Sequence, residues 1–185
     1  HNGKAVNREI VNSKLTEGQV NKGIYDHFMQ KEIFEQPSIL GDSLSRFINP
    51  IKKFIDIPNI NIEWNKVSQI NLVACGTSYY ACSTATYWFQ KYTGISCNAE
   101  LASEFRYKKL IVDENKLTVF ISQSGETADS LAALRYVKLK KMQVLSIVNA
   151  QESSMARESD HYITIAAGPE IGVASTKALT AQLSI

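Results

Sequence analysis

From residue 69 onward, short apolar runs alternate with stretches of helical period. The runs fall at 70–75, 95–101, 117–121, 144–148 and 162–166. They are too short for ordinary helices and most are flanked by Gly, Asn or Ser, so they read as strands. Between the first two, Ala81, Ala85, Trp88, Phe89 and Tyr92 recur on one face and predict a helix over 78–92. The same logic predicts helices over 102–107, 127–139 and 153–158, with another starting at 176. Strands that alternate with helices predict an α/β fold whose parallel sheet is covered by helices on both faces.

The chain upstream is patterned differently. Residues 1–21 are polar and weakly periodic, as a linker is. Ile24, Tyr25, Phe28, Met29 and Ile33 predict an amphipathic helix over 23–36, ended by Pro37. A second helix over 38–48 carries Ile39, Leu40, Leu44, Phe47 and Ile48 and stops at Asn49-Pro50. Residues 51–68 read as loop with one short helical piece. The chain opens on His1 and its last helix breaks off at Ile185, so it reads as a piece of a longer protein.

Composition removes several classes. A hydrophobic share of 44% and a charged share of 21% suit a soluble α/β domain with a proper core. Twenty basic and 18 acidic residues are well mixed and leave a net charge of +2, which predicts no nucleic-acid partner and no anionic membrane surface. The apolar runs are too short to span a bilayer. Cys75, Cys82 and Cys97 fit neither a C-x-x-C pair nor a zinc knuckle, and read as reduced thiols of a cytoplasmic protein. His1, His27 and His161 are scattered, so no metal site is expected.

Candidate chemistry sits at the strand ends. Five parallel strands of this kind commonly take the order 2-1-3-4-5, and ligands bind where that order reverses, outside the carboxyl ends of the first and third strands. Two hydroxyl-rich turns fall there: Cys75-Gly76-Thr77-Ser78 and Ser122-Gln123-Ser124-Gly125-Glu126-Thr127. Helix starts offer unpaired N–H donors and a partial positive charge, which suit an anion. The bland alternative makes Ser124 a helix N-cap. Neither turn is G-x-G-x-x-G or G-x-x-x-x-G-K-[ST], which disfavours a dinucleotide and a nucleoside triphosphate. Neutral donors without a cation suit one phosphate on a small metabolite, with Gln123 and Thr77 left to read sugar hydroxyls. A third segment, Glu170-Ile171-Gly172-Val173-Ala174-Ser175-Thr176-Lys177, could close over the ligand or be a plain loop capped by Ser175 or Thr176. Glu126 reads as a dipole partner rather than a base. Cys75 reads as pocket wall rather than nucleophile.

These three segments, with Met29-Gln30-Lys31-Glu32-Ile33, Glu35-Gln36-Pro37 and Ala102-Ser103-Glu104-Phe105-Arg106-Tyr107, are similar to the isomerase part of the glucosamine-6-phosphate synthase family. Its members are isomerising glutamine–fructose-6-phosphate aminotransferases. The resemblance covers nearly all of 22–185. It implies a three-layer SIS (sugar isomerase) fold of flavodoxin-like type, with a five-stranded parallel sheet preceded by helices. Residues 1–21 would be the tail of an upstream glutaminase domain, and 22–185 the first of two SIS subdomains, truncated in its last helix.

The resemblance also implies a function. The whole enzyme would release ammonia from glutamine and convert fructose 6-phosphate to glucosamine 6-phosphate, without metal or organic cofactor. Ser122, Ser124 and Thr127, with the Gln123 backbone, would hold the phosphate. Cys75, Gly76, Thr77 and Ser78 would lie along the sugar, and Val173, Ala174 and Ser175 would line the same pocket. The partners implied are the sugar phosphates, the absent glutaminase and second SIS units, and a second copy in a homodimer that uses the helices over 23–48. The proton-transfer groups belong to the second SIS unit and the C-terminal tail, so no catalytic residue is expected in this span, which alone would be inactive. Two alternatives remain. One is a phosphosugar-sensing module, for which no basic helix-turn-helix segment precedes residue 69. The other is a stand-alone phosphosugar isomerase.

Overall fold

The computed structural model describes residues 20–57 and 59–185, so the reading of 1–21 as a linker lies almost entirely outside the described residues. The central sheet has five parallel strands: β3 (Gln69–Ala74), β4 (Ser96–Leu101), β5 (Lys116–Ser122), β6 (Val144–Val148) and β7 (His161–Thr164). Their spatial order is β4-β3-β5-β6-β7, the order expected, with the reversal between β3 and β5. Register aligns the two strand ends: Ala74 pairs with Ile121, beside Leu101 on the other flank.

Alternation within the strands builds two cores. On β3 and β5, Ile70, Leu72, Ala74, Leu117, Val119 and Ile121 face one way, while Val73 and Phe120 face the other. The first set is covered by α2 (Gly76–Thr93), through buried Cys82. The second set is covered by α3 (Ala102–Phe105), α4 (Ala128–Leu139) and α5 (Ser154–Glu158). Phe105 meets Phe120 edge-on, with ring centroids 6.3 Å apart. Each such buried side chain contributes about 1.5–3 kcal/mol. Helices on both faces of one parallel sheet define the three-layer α/β fold read from the pattern.

Upstream of the sheet the structure corrects the reading. One continuous helix, α1 (Phe28–Ser45), replaces the two helices separated by Pro37. Proline at 37 cannot donate to the Ile33 carbonyl. The Gln36 side chain donates there instead, at 3.1 Å, and the helix continues. Nor does the helix reach Ile48. Asn49 Oδ1 accepts from the N–H groups of Ile51 and Lys52 at 3.1 and 2.9 Å. That turn pairs β1 (Ile48–Asn49) with β2 (Phe54–Ile55). A single 3-10 turn, Trp64–Lys66, follows.

The orientation of α1 is a feature the sequence pattern did not foretell. Its inward face carries Glu32, Glu35, Ile39 and Ser43, at steps of three and four residues. Its apolar residues Met29, Ile33 and Phe34 face outward, and Ile24 before it is exposed too. Ile39 packs on Ala178 and Ala181 of the final helix, α6 (Lys177–Leu183).

Candidate functional site

The crevice at the carboxyl ends of β3 and β5 is built from the turn after β5. Ser122 is the last residue of that strand and is buried. Its Oγ accepts from the Gly125 N–H at 3.0 Å and lies 3.2 Å from Thr127 Oγ1. Ser124 Oγ accepts from the Glu126 N–H at 3.2 Å. The N-cap of α4 is Thr127, whose side chain makes no capping bond. Ser124 is therefore a turn former, not the helix cap. Behind Thr127, which lines the crevice, a twelve-residue helix begins, and the first N–H groups of a helix have no intrahelical partners.

Gly125 is required here on two counts. Its φ is +64°, and an added Cβ would lie 2.2 Å from Ser153 Oγ. The turn is thus pressed against the start of α5. Glu126 serves the same junction: its carboxylate accepts from the Ser154 N–H at 2.6 Å. It precedes α4 and stabilises the N-terminus of α5, one helix further on than its sequence position suggests.

On the β3 side, Cys75 is the N-cap of α2, so 75–78 forms the helix start itself. Ser130 Oγ donates to Cys75 Sγ at 3.7 Å. Cys75 packs beside the core and lines the crevice, as a wall does. Ser78 Oγ accepts from Gln182 Nε2 at 3.0 Å, which ties α2 to α6. The other two thiols are buried within the opposite core. Burial pushes Cys82 up to about 12 and Cys97 up to about 11, so both stay protonated at neutral pH.

Together these residues form an open cavity of about 170 Å³, lined by Cys75, Thr77, Ser78, Ile121, Ser122, Gln123, Ser124, Thr127 and Ser175. No lining residue carries a charge, so anion binding would rest on hydroxyls, amides and helix ends. The volume is below the roughly 300–1,000 Å³ of complete ligand pockets, enough for a phosphate and part of a sugar. Two larger cavities, about 340 Å³ each, open at the amino end of β5 and beside β7. Both lie away from the switch point, where open sheets bind ligands. Three anticipated residues stay outside the lining: Gly76, Ala174 and Val173, whose side chain is fully exposed.

The third segment reaches the crevice through Ser175. Its shape is set by two carboxylates. Glu170 Oε1 accepts from the N–H groups of Thr176 and Ala178 at 2.7 and 3.2 Å, closing the loop onto the start of α6. Glu32 Oε1, from α1, accepts from Ile171 and Gly172 N–H at 2.6 and 2.9 Å. Lys177, also buried, donates to Glu35 Oε2 at 2.8 Å. Sequence reasoning missed Glu32, Glu35, Lys177 and Gln182 as builders of the site. The available signal was polar residues at 32, 35 and 43 on the same helical stripe as Ile39, where a core-facing helix should be apolar. Among the described residues, no group of three His, Cys, Asp or Glu could hold a metal ion. No described helix is long and apolar enough to cross a membrane.

An α/β sheet with a hydroxyl-lined crevice at its switch point defines the class, and the family model for the SIS domain matches residues 64–185. This is more than half of the chain, and the chain belongs to the SIS domain family. It is 45% identical over 183 residues to the isomerizing glutamine–fructose-6-phosphate aminotransferase of Brucella abortus, covering 99% of this chain and 30% of that protein. Against the enzyme of the same name from Haemophilus ducreyi it is 49% identical, covering 98% of this chain and 30% of that protein. Among solved structures, the C-terminal domain of glucosamine-fructose-6-phosphate aminotransferase from Francisella tularensis superposes with a TM-score of 0.82 at 43% identity. The match covers 89% of this chain and 47% of that one. The chain thus spans about 30% of the length of the curated relatives it matches.

Proposed function

We propose that this chain is the first SIS unit of an isomerizing glutamine–fructose-6-phosphate aminotransferase and supplies its sugar-phosphate cradle. One observation carries the reading: the hydroxyls of Ser122, Ser124 and Thr127 converge with Thr77, Ser78 and Ser175 on one uncharged crevice at the switch point. The activity for which the relatives are named supports the choice of substrate.

In this reading the phosphate sits against the start of α4. It accepts from Ser122, Ser124, Thr127 and the Gln123 backbone. Each helix-end contact is worth about 0.3–1 kcal/mol, more where water is partly excluded. Cys75, Gly76, Thr77 and Ser78 lie along the sugar, and Val173, Ala174 and Ser175 close the far side. This chain binds and orients fructose 6-phosphate, while the proton transfers belong to residues outside it. The glutaminase and second SIS units complete the enzyme, which works in the cytoplasm in amino-sugar biosynthesis. A second copy covers the outward apolar residues Ile24, Met29, Ile33 and Phe34, so the intact protein sediments as a dimer.

The test uses the full-length protein. It should bind fructose 6-phosphate and, with glutamine, form glucosamine 6-phosphate and glutamate, and Ser124→Ala should weaken binding. Binding with no turnover would favour a sensing module. Isomerisation independent of glutamine would favour a stand-alone isomerase.

A further inference from the structure

We propose that Glu32 is a positioning residue for the sugar end of the crevice, acting from α1 on the backbone of the 170–176 loop. The proposal rests on reading the crevice as a sugar-phosphate site.

Four features of the contact point to it. First, one oxygen of Glu32 takes two successive backbone N–H groups, at 2.6 and 2.9 Å. Bonds to a carboxylate are shorter and stronger than neutral ones. Second, Glu32 is 2% exposed. A buried carboxylate is costly unless hydrogen-bonded, so the loop's N–H groups take the place of water around it. Third, the approach is close enough that any side chain at 172 would have to displace the tip of Glu32. A Cβ there would lie 2.7 Å from Glu32 Oε2, so α1 and the loop meet backbone to carboxylate. Fourth, packing alone does not call for an acid, because Ile39 already seats α1 on α6 through Ala178 and Ala181.

The loop is then fixed at both ends. Glu32 holds Ile171 and Gly172, and Glu170 holds Thr176 and Ala178. Between them lie Val173, Ala174 and Ser175, and Ser175 lines the cavity. The anion donors sit elsewhere, in the turn after β5, held by Ser122 and Ser124 within the turn and by the end of β6 and the start of α5, with no bond to α1 or to the 170–176 loop among those that hold it. Loosening Glu32 should therefore move Ser175 and leave the phosphate cradle in place. The consequence is a selective loss: affinity for the sugar phosphate falls while affinity for a bare anion does not.

The experiment uses the full-length protein and its variants Glu32→Gln, Glu32→Asp and Gly172→Ala. Amide hydrogen exchange of residues 170–177 is read without ligand, and affinities are measured for fructose 6-phosphate and for inorganic phosphate. In Glu32→Gln the loop should exchange about tenfold faster while β3 and β5 stay protected. Fructose 6-phosphate affinity should fall about tenfold, and phosphate affinity should hold within about twofold. Gly172→Ala should give the same pattern from the other side of the contact, and it carries the test should Glu32→Gln fail to fold. Glu32→Asp, one methylene short, should fall between. Unchanged loop exchange overturns the clamp. Faster exchange with unchanged fructose 6-phosphate affinity overturns the link to the site. Equal weakening of both ligands would make Glu32 a general support of the fold. Should neither ligand bind the unaltered protein, the crevice reading fails and the positioning role with it, while the exchange data still judge the clamp.

Discussion

Two loops meet at this crevice and are held in opposite ways. The turn after β5 is organised by its own residues: Ser122 bonds to Gly125, and Ser124 to Glu126. The loop before α6 takes its shape partly from α1, through bonds that span 139 and 140 residues of sequence. The first is a local motif, readable as a string of letters, which the end of β6 and the start of α5 then brace through bonds spanning 26 to 30 residues. The second forms only once α1 has docked. Local order suits an anion cradle, which must present fixed donors. Long-range order suits a wall, because its position then reports on the rest of the domain.

Breaking the local turn should have the largest effect. In Gly125→Ala the new Cβ meets Ser153 Oγ at 2.2 Å on a backbone with φ of +64°. Left-handed strain and overpacking together should destabilise the protein by about 2–4 kcal/mol. Binding of both phosphate and fructose 6-phosphate should disappear. Urea unfolding and ligand titration in the full-length protein check the two effects, and intact phosphate binding would show that the turn is not the cradle.

The long-range clamp should break less severely and asymmetrically. The Lys177 side chain is 4% exposed and that of Glu35 is 29% exposed. Glu35→Gln leaves a buried cation facing a neutral amide, whereas Lys177→Met leaves a carboxylate that water can reach. Removing one partner of a buried pair costs about 3–5 kcal/mol at most. The half-exposed geometry here argues for about 2–3 kcal/mol for Glu35→Gln and about 1 for Lys177→Met. Urea midpoints decide, and the reverse order would mean that Lys177 finds another acceptor. Lys31, 3.6 Å from Glu35, is part of the same network, so a double-mutant cycle with Lys177 would not isolate one bond.

The contrast explains what could be read in advance. The strands, their order and the turn after β5 follow from apolar runs and local turn chemistry, which act within a few residues. The course of α1 does not. Its apolar residues Ile24, Met29 and Ile33 mark an amphipathic helix but do not show that the face packed on the domain is the polar one, with Glu32, Glu35, Ile39 and Ser43. A helix that buries carboxylates against a loop defies the rule that apolar stripes point to the core of the same chain. Pro37 misled for a similar reason: the Gln36 side chain repairs the lost backbone bond, and propensity carries no knowledge of that repair.

Within the cradle, single hydroxyls should matter moderately. Ser124→Ala removes one donor from a partly exposed turn and leaves no buried group unpaired. It should lower phosphate affinity by about fivefold, or about 1 kcal/mol, with little change in stability. Ser122→Ala should cost more in stability, because the Gly125 N–H then loses its acceptor in a buried position. Thermal melts and phosphate titrations separate the two, and equal melting temperatures would remove Ser122 from the structural role.

Val173 offers the finest probe. Its side chain is fully exposed, while its neighbour Ser175 lines the cavity. In the free protein Val173→Ala should therefore change stability by less than about 0.5 kcal/mol. Its effect on ligand affinity is the informative part. With the loop fixed at 171–172 and at 176, the methyls of Val173 can reach a sugar only if the short span between those anchors turns inward. An affinity loss beyond about threefold, with stability unchanged, would show that the span turns over bound ligand. An unchanged affinity would leave Ser175 as the point where this loop touches the site. The wall would then be as rigid as its two carboxylates make it, and specificity for the sugar would lie with Thr77, Ser78 and Ser175.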